Sequence, residues 1–244
     1  MNCEPMDVEF IDDQCMTIET TITDDDIQET MKMDVDIVES ERTTDIVTNN
    51  ENSQMTDIIE KLLPHLVTRI RRYHELFSQP LIAEFWEETL HNSLKDAGFN
   101  TSWKPDRSHK VGEDMRIENV EHSRISCKSG QFVTPRGGQA SVKFNGSRTT
   151  SQESIEEKIE HLCGDHDDWY FLLAKNKNFD RKYKLLIFES SICKVNKLEW
   201  KENESGKQWM GTGVFQASIN KSMSAQLWST LPLHMVSYQH DIIL

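Results

Sequence analysis

Gly112-Glu113-Asp114-Met115-Arg116-Ile117 and, a few residues on, Arg124-Ile125-Ser126-Cys127-Lys128-Ser129-Gly130 decide how this chain is to be read. Both stretches alternate apolar and polar positions, with Met115 and Ile117 in the first and Ile125 and Cys127 in the second. Asn119 to Ser123 supply a polar turn between them, and the whole is the pattern of a β-hairpin. The hairpin sets Asp114 fourteen positions before Lys128. On a twisted antiparallel pair, an acid on one strand and a lysine on the next can meet at one spot.

The ordinary reading of such a pair is a solvated cross-strand ion pair. Its neighbours point elsewhere. Gly130 ends the second strand and lets the backbone lie close to a ligand. His109 and Gly112 add polar and conformationally free positions beside the acid. A carboxylate that holds a divalent metal, next to a lysine that orients or activates water, is suited to hydrolysing phosphodiesters. Cys127, between Ser126 and Lys128, reads as a small core-facing side chain rather than a nucleophile.

Working outward, Asp57 to Phe77 carries apolar residues at helical spacing, with Pro64 expected to bend or divide the helix. Arg69, Arg71 and Arg72 make a basic cluster on it, suited equally to phosphate and to a solvated face. A second helix is expected over Leu81 to Ala97, stopped by Gly98. Strands are expected near 100–104, 112–118, 123–128 and 140–145, then a helix from Ser151 to Leu162 capped by Ser151 or Ser154. The apolar runs Trp169 to Ala174 and Tyr183 to Glu189 suit inner strands. Helices before and after a central mixed sheet make an α/β domain.

Charge divides the 244 residues. Residues 1–56 hold sixteen acids against Lys32 and Arg42, which leaves twenty-five of the forty-one acids and twenty-five of the twenty-seven bases for the rest. Residues 1–55 are therefore expected to be a disordered acidic arm, with too little apolar surface to offset chain entropy, and 56–244 one folded domain. The arm reads first as a solubilising extension and second as a competitor of DNA for a basic site. No apolar run approaches eighteen residues, no secretory signal is visible, and the five cysteines show no C-x-x-C spacing. A cytoplasmic protein with reduced thiols and neither a membrane span nor a zinc site is the expectation.

Pro105-Asp106, Asp114 and the run Ile125 to Gly130 resemble the core of the PD-(D/E)xK nuclease superfamily and, within it, the type II restriction endonucleases. That family places an acid near the start of one strand and an acid-x-Lys pair in the next. Asp114 matches the first acid, ahead of Asp106, and Lys128 matches the lysine; Ser126 stands where a second acid is usual. The resemblance implies that a carboxylate is then supplied from a helix. Glu84 and Glu88 come first, with Glu87 beside them; Glu153, Glu156 and Glu157 form the later group. Ser141-Val142-Lys143, with Glu157 fourteen positions after Lys143, is a competing core strand.

What the resemblance implies is a restriction endonuclease-like sheet and Mg2+ held by Asp114, Glu88 or Glu84, and a main-chain carbonyl. Lys128 would position or deprotonate the attacking water. Double-stranded DNA is the implied substrate, with room for a homodimer and for a companion DNA methyltransferase that protects the host. DNA contacts are expected from Arg148, in the run Asn145 to Thr150, from Lys143, and from Lys221 and Gln226 on a helix over Ser218 to Trp228. Two rivals stand beside this reading. One is a repair or mobile-element nuclease on the same fold; the other is a non-catalytic DNA-binding protein on a decayed nuclease fold, which Ser126 admits.

Overall fold

A computed structural model of the chain describes residues 48–103, 113–134, 138–149, 152–164, 168–221 and 225–244. Asp106, His109, Gly112, Ser151 and most of the acidic arm lie outside these residues. The chain divides after Thr44, and Asp45–Leu244 forms the unit described below.

Two helices open that unit, α1 (Thr48–Leu76) and α2 (Ala83–Asp96). α1 is one continuous helix of 29 residues with Pro64 inside it, so of the bend or division expected at Pro64 the division does not occur. Pro64 is exposed, while Ile58, Ile59 and Leu62 before it and Leu66 and Ile70 after it are all buried in the same core. Burial on both sides of the proline holds the helix together, and the carbonyl that loses its partner belongs to the exposed Glu60. α1 also begins inside the segment assigned to the arm, and Met55 belongs to the core. α2 ends as expected: Gly98 takes φ +89°, and the Gly98 and Phe99 N–H groups return to the Lys95 and Leu94 carbonyls.

The strands are β1 (Thr101–Trp103), β2 (Met115–Ile117), β3 (Arg124–Val133), β4 (Ser141–Arg148), β5 (Trp169–Lys175), β6 (Lys182–Glu189), β7 (Glu199–Glu202), β8 (Gln208–Thr212), β9 (Gln216–Asn220), β10 (Gln226–Pro232) and β11 (Tyr238–Ile243). They form one mixed, open sheet in the order β11-β6-β5-β3-β4-β10-β9-β8-β7, with β2 on β3 and β1 on β2. Among the described residues only β3 and β5 pair in parallel, and the connection between them carries α3 (Ile155–Leu162). α3 is capped by Ser154 through a capping box: the Ser154 hydroxyl accepts from the Glu157 N–H, and the Glu157 carboxylate accepts from the Ser154 N–H.

Alternation along β5 shows why its sequence is apolar throughout. Phe171 and Leu173 pack against α1 and α2, while Leu172 and Ala174 face a second core with Val142, Phe144 and Phe188. Ile155 and Ile159 of α3 pack against that second core. The helix expected over Ser218 to Trp228 is not there. Gln216–Asn220 and Gln226–Pro232 are antiparallel strands, and Ala217, Ile219, Leu227, Ser229 and Leu231 turn inward at period two. Ser222 and Ser224, placed on that helix, fall outside the described residues. Among the described residues no helix is long and apolar enough to cross a membrane.

Candidate functional site

The hairpin is held from its turn outward. Asn119 and His122 take φ of +62° and +47°, and the Ser123 hydroxyl donates to the Ile117 and Val120 carbonyls at 2.7 Å each. The indole N–H of Trp169 donates to the His122 carbonyl at 3.1 Å, which ties the turn to β5. β2 then registers with β3 at Met115↔Ile125 and Arg116↔Arg124, and the Asp114 N–H donates to the Ile125 carbonyl.

One edge of β3 is covered by β5 from Ile125 to Gln131. The other edge is shared: β2 takes Arg124 and Ile125, and β4 takes Gly130 to Val133. Among the described residues no strand registers with Ser126 to Ser129 on that edge. The result is a notch in the sheet, and Asp114 fills its near side. Its Oδ2 accepts from the Cys127 N–H at 2.6 Å and from the Ser126 hydroxyl at 3.1 Å. Lys128 Nζ lies 3.9 Å from the same oxygen and 5.7 Å from the ring centroid of Tyr170. The carbonyl of a strand residue leaves on the side of its N–H, so the Cys127 carbonyl also points into the notch. The Asp114 and Lys128 side chains are 18% and 17% exposed, shielded yet reachable from solvent.

The far side of the notch is β4. Past Phe144 it leaves β3 and registers with β10 alone, at Asn145↔Trp228 and Arg148↔Gln226. Arg148 stands exposed at the end of this wall, and the Gln226 amide donates to the Gly146 carbonyl at 3.5 Å. At Gly146 a Cβ would lie 3.1 Å from Leu227 Cδ2, so a side chain there would require the leucine to shift by a few tenths of an ångström.

The remaining residues singled out from the sequence are not all in the notch. Lys143 leaves the opposite face of the sheet from Lys128, with Nζ 5.3 Å from the Trp228 ring centroid. Lys221 pairs with Glu202 and lies over Trp209. Glu84 and Glu88 are exposed on α2. Glu87, between them, is half-buried. Burial first, then the negative charges of Asp114 and Glu87, push the Cys127 thiol well above the ordinary thiol range, with Lys128 opposing. Cys127 is thus a neutral core thiol. Glu153 and Glu156 are exposed. Glu157 is committed to the α3 cap, where the Ser154 and Glu153 N–H groups hold its carboxyl below the usual range. The competing pair of Lys143 and Glu157 therefore does not form a site. Sequence reasoning missed Tyr170, which no local motif connects to Lys128, because the parallel register Ser126↔Tyr170 spans the α3 connection.

Among the described residues no three His, Cys, Asp or Glu side chains come together in a metal-holding group. The donors at the notch are one carboxylate, one hydroxyl and a backbone carbonyl, with Glu87 close enough to act on Cys127. A set so lean suits Mg2+, which takes one or two carboxylates and keeps several of its waters, better than Zn2+, which is held by four protein ligands in structural sites and three in catalytic ones. Comparison with protein-family models, with curated proteins and with solved structures finds no match to the chain.

Proposed function

We propose that the chain is a Mg2+-dependent endonuclease of the PD-(D/E)xK kind, acting on double-stranded DNA at specific sites in the manner of a type II restriction enzyme. The observation that carries this is the meeting of Asp114, Ser126 and Lys128 at the stretch of β3 where one edge has no registered strand among the described residues. In the serine variant of the motif the middle residue does new work. Ser126 is fully buried and donates its hydroxyl to Asp114, so it positions the first acid instead of supplying a second. The Cys127 N–H does the same from the backbone, and together they leave the Asp114 carboxylate aimed across the notch.

Asp114, the Cys127 carbonyl and Glu87 are the groups that would hold Mg2+; bound there, the ion supplies Lewis-acid stabilisation of charge on a phosphate. Lys128 brings a positive charge to the same spot. Its ammonium orients the attacking water and donates to the phosphate oxygen that gains charge. Tyr170 packs beside the lysine and limits its freedom. Arg148, on the far wall, contacts the DNA backbone, and Gln226 beside it is placed to approach a base edge once its bond to Gly146 is exchanged. The test is incubation of unmethylated and methylated phage DNA with the protein and Mg2+. Discrete bands support the restriction reading, and smearing or structure-dependent nicking supports a repair or mobile-element nuclease. The buried serine in the acid position favours one further reading, a DNA-binding protein on a decayed nuclease fold. Retained DNA binding without cutting in Mg2+ or Mn2+ would select it.

A further inference from the structure

Where α1 ends and α2 begins, the chain leaves apolar side chains in water. Of the eight large apolar side chains exposed among the described residues, four stand there: Leu76, Phe77, Ile82 and Phe85, between 47% and 80% exposed. Leu62, Leu66 and Ile70 turn the apolar stripe of α1 inward, and Trp86, Leu90 and Leu94 do the same for α2, so Leu76 and Phe85 fall on the flanks of those stripes. Arg69, two turns before Leu76, pairs at 2.7 Å with Asp96, three turns after Phe85, and the two flanks therefore meet along the groove between the helices. The ring of Tyr73 joins them, with its centroid 4.9 Å from that of Phe77 and 6.0 Å from that of Phe85. The turn is fixed from beneath. His74 Nδ1 donates to the Phe77 carbonyl at 3.0 Å, and Nε2 accepts from the Tyr183 hydroxyl at 2.9 Å. That hydroxyl accepts in turn from the Leu81 N–H at 2.8 Å. A surface so held loses little conformational freedom on docking.

Size and charge together name the occupant. At roughly 200 Å2 for each side chain in full exposure, the fractions above leave about 400 Å2 of apolar surface, the size of patch that marks an interaction site. Interfaces between copies of one chain are about 60% apolar, so such a patch would centre an interface of about 650 Å2 on each copy, about 1,300 Å2 in all, within the range of specific dimers. The rim carries both signs. Arg72 lies one turn before Leu76, and Glu88 one turn after Phe85, and both are exposed. Glu88 would be repelled by an anionic membrane, whereas a second copy offers an acid for each base and a base for each acid. We infer that two copies of the chain dock through this surface, about a two-fold axis along the groove between α1 and α2. Leu76 then packs on the partner's Phe85, and Arg72 meets the partner's Glu88. The inference is independent of what the notch binds or cuts.

The test is sedimentation equilibrium of the full chain between about 1 and 100 µM, where a dimer with a dissociation constant on the order of 10 µM is expected of an interface this small. Leu76→Glu and Phe85→Glu each bring a carboxylate to the centre of the contact and should weaken the dimer about tenfold or more. Their thermal midpoints should match the wild type at concentrations where it is monomeric, because both positions are exposed in the single chain. Arg72→Glu and Glu88→Arg should each weaken the dimer about fivefold, and the two changes in one chain should restore it. A chain that is monomeric at about 100 µM overturns the inference, as does a dimer that Leu76→Glu and Phe85→Glu leave unchanged. A monomer that sediments instead with vesicles of phosphatidylcholine and phosphatidylserine assigns the surface to a membrane and overturns it too. Plasmid cleavage by the same preparations keeps the two proposals apart, since a dimer that does not cut removes the nuclease and leaves this interface standing.

Discussion

Arg124 and Lys128 stand on the same face of β3, two repeats of the pleat apart, and each faces an aspartate across a neighbouring strand's end. The pairs are comparably shielded: Arg124 and Asp168 are 22% and 13% exposed, Lys128 and Asp114 17% and 18%. Their construction differs. Asp168 receives the Arg124 N–H at 2.9 Å, its Nε at 3.1 Å and its Nη2 at 2.7 Å, a forked clamp that joins β3 to the start of β5. Lys128 meets Asp114 at 3.9 Å with a single ammonium, and Asp114 spends its short contacts on Ser126 and Cys127. A saturated clamp stabilises the fold and has nothing left to offer a ligand. A loosely met lysine beside a pre-positioned carboxylate is the cheaper pair to rearrange around a phosphate.

The sharpest way to break this comparison is to remove an acid from each pair. Asp114→Asn, which keeps an acceptor for Ser126 and Cys127, and Lys128→Ala should each lower DNA cleavage by about 10²–10³-fold or more, with the unfolding free energy within about 1 kcal/mol of wild type. Asp168→Ala should do the opposite, costing about 1–3 kcal/mol of stability while the folded fraction still cuts. Plasmid cleavage and urea unfolding on the same three preparations read both effects, and parallel losses in all three would erase the distinction between clamp and site.

Acid sharpens it further. Burial alone would raise the Asp168 carboxyl, but the Arg124 hydrogen bonds and charge, helped by His122, hold it below its ordinary value. A depressed folded value stabilises the protein above the unfolded carboxylate's pKa of about 3.9, and that contribution is lost as pH falls through the folded value. The urea midpoint of the wild type should therefore fall more steeply below about pH 4 than that of Asp168→Asn. Equal slopes would mean that the clamp contributes nothing.

Smaller effects are expected on α2. Glu87→Gln should raise the Mg2+ concentration needed for half-maximal cleavage by about tenfold, whereas Glu84→Gln and Glu88→Gln should leave it unchanged. A shift in either of the exposed pair, with none at Glu87, would move the second carboxylate back to the outer face of the helix. The smallest effect belongs to the acidic arm. Removal of residues 1–47 should leave the fold intact and raise DNA affinity about twofold at low salt, a gain that vanishes as salt rises. Extending the deletion through Met55 removes a buried core residue and should cost about 2 kcal/mol, visible in the thermal midpoint.

Much of the amino-terminal half of this architecture can be read locally, because each element carries its own pattern. Leu62, Leu66 and Ile70 mark the buried stripe of α1, Gly98 ends α2, and Met115, Ile117 and Ile125 announce the hairpin that brings Asp114 to Lys128. Legibility fails where the decisive partner is distant. The stretch from Ser218 to Trp228 mixes Ser, Asn and Lys with few apolar residues and fits either period; its pairing with β4 and β8 settles the matter. Turn-to-turn spacing puts Glu84 and Glu88 on one face of α2 but does not show how exposed that face is: both are exposed, and Glu87 between them is half-buried. Least legible is the notch, which arises because two strands share one edge of β3 and, among the described residues, none registers with the stretch between them.

That sharing sets an order of assembly. The wall from Asn145 to Arg148 has lost β3 as a neighbour and is braced by β10 alone, a strand that leaves the ribosome about eighty residues later. The hairpin bearing Asp114 and Lys128 can form early, from residues close in the chain, but it then faces open water. A nascent polypeptide holding the acid and the lysine thus has one side of the proposed site, and the wall opposite is completed late in synthesis. For a protein proposed to cleave DNA, a blade that stays open until the hinge arrives protects the cell that makes it.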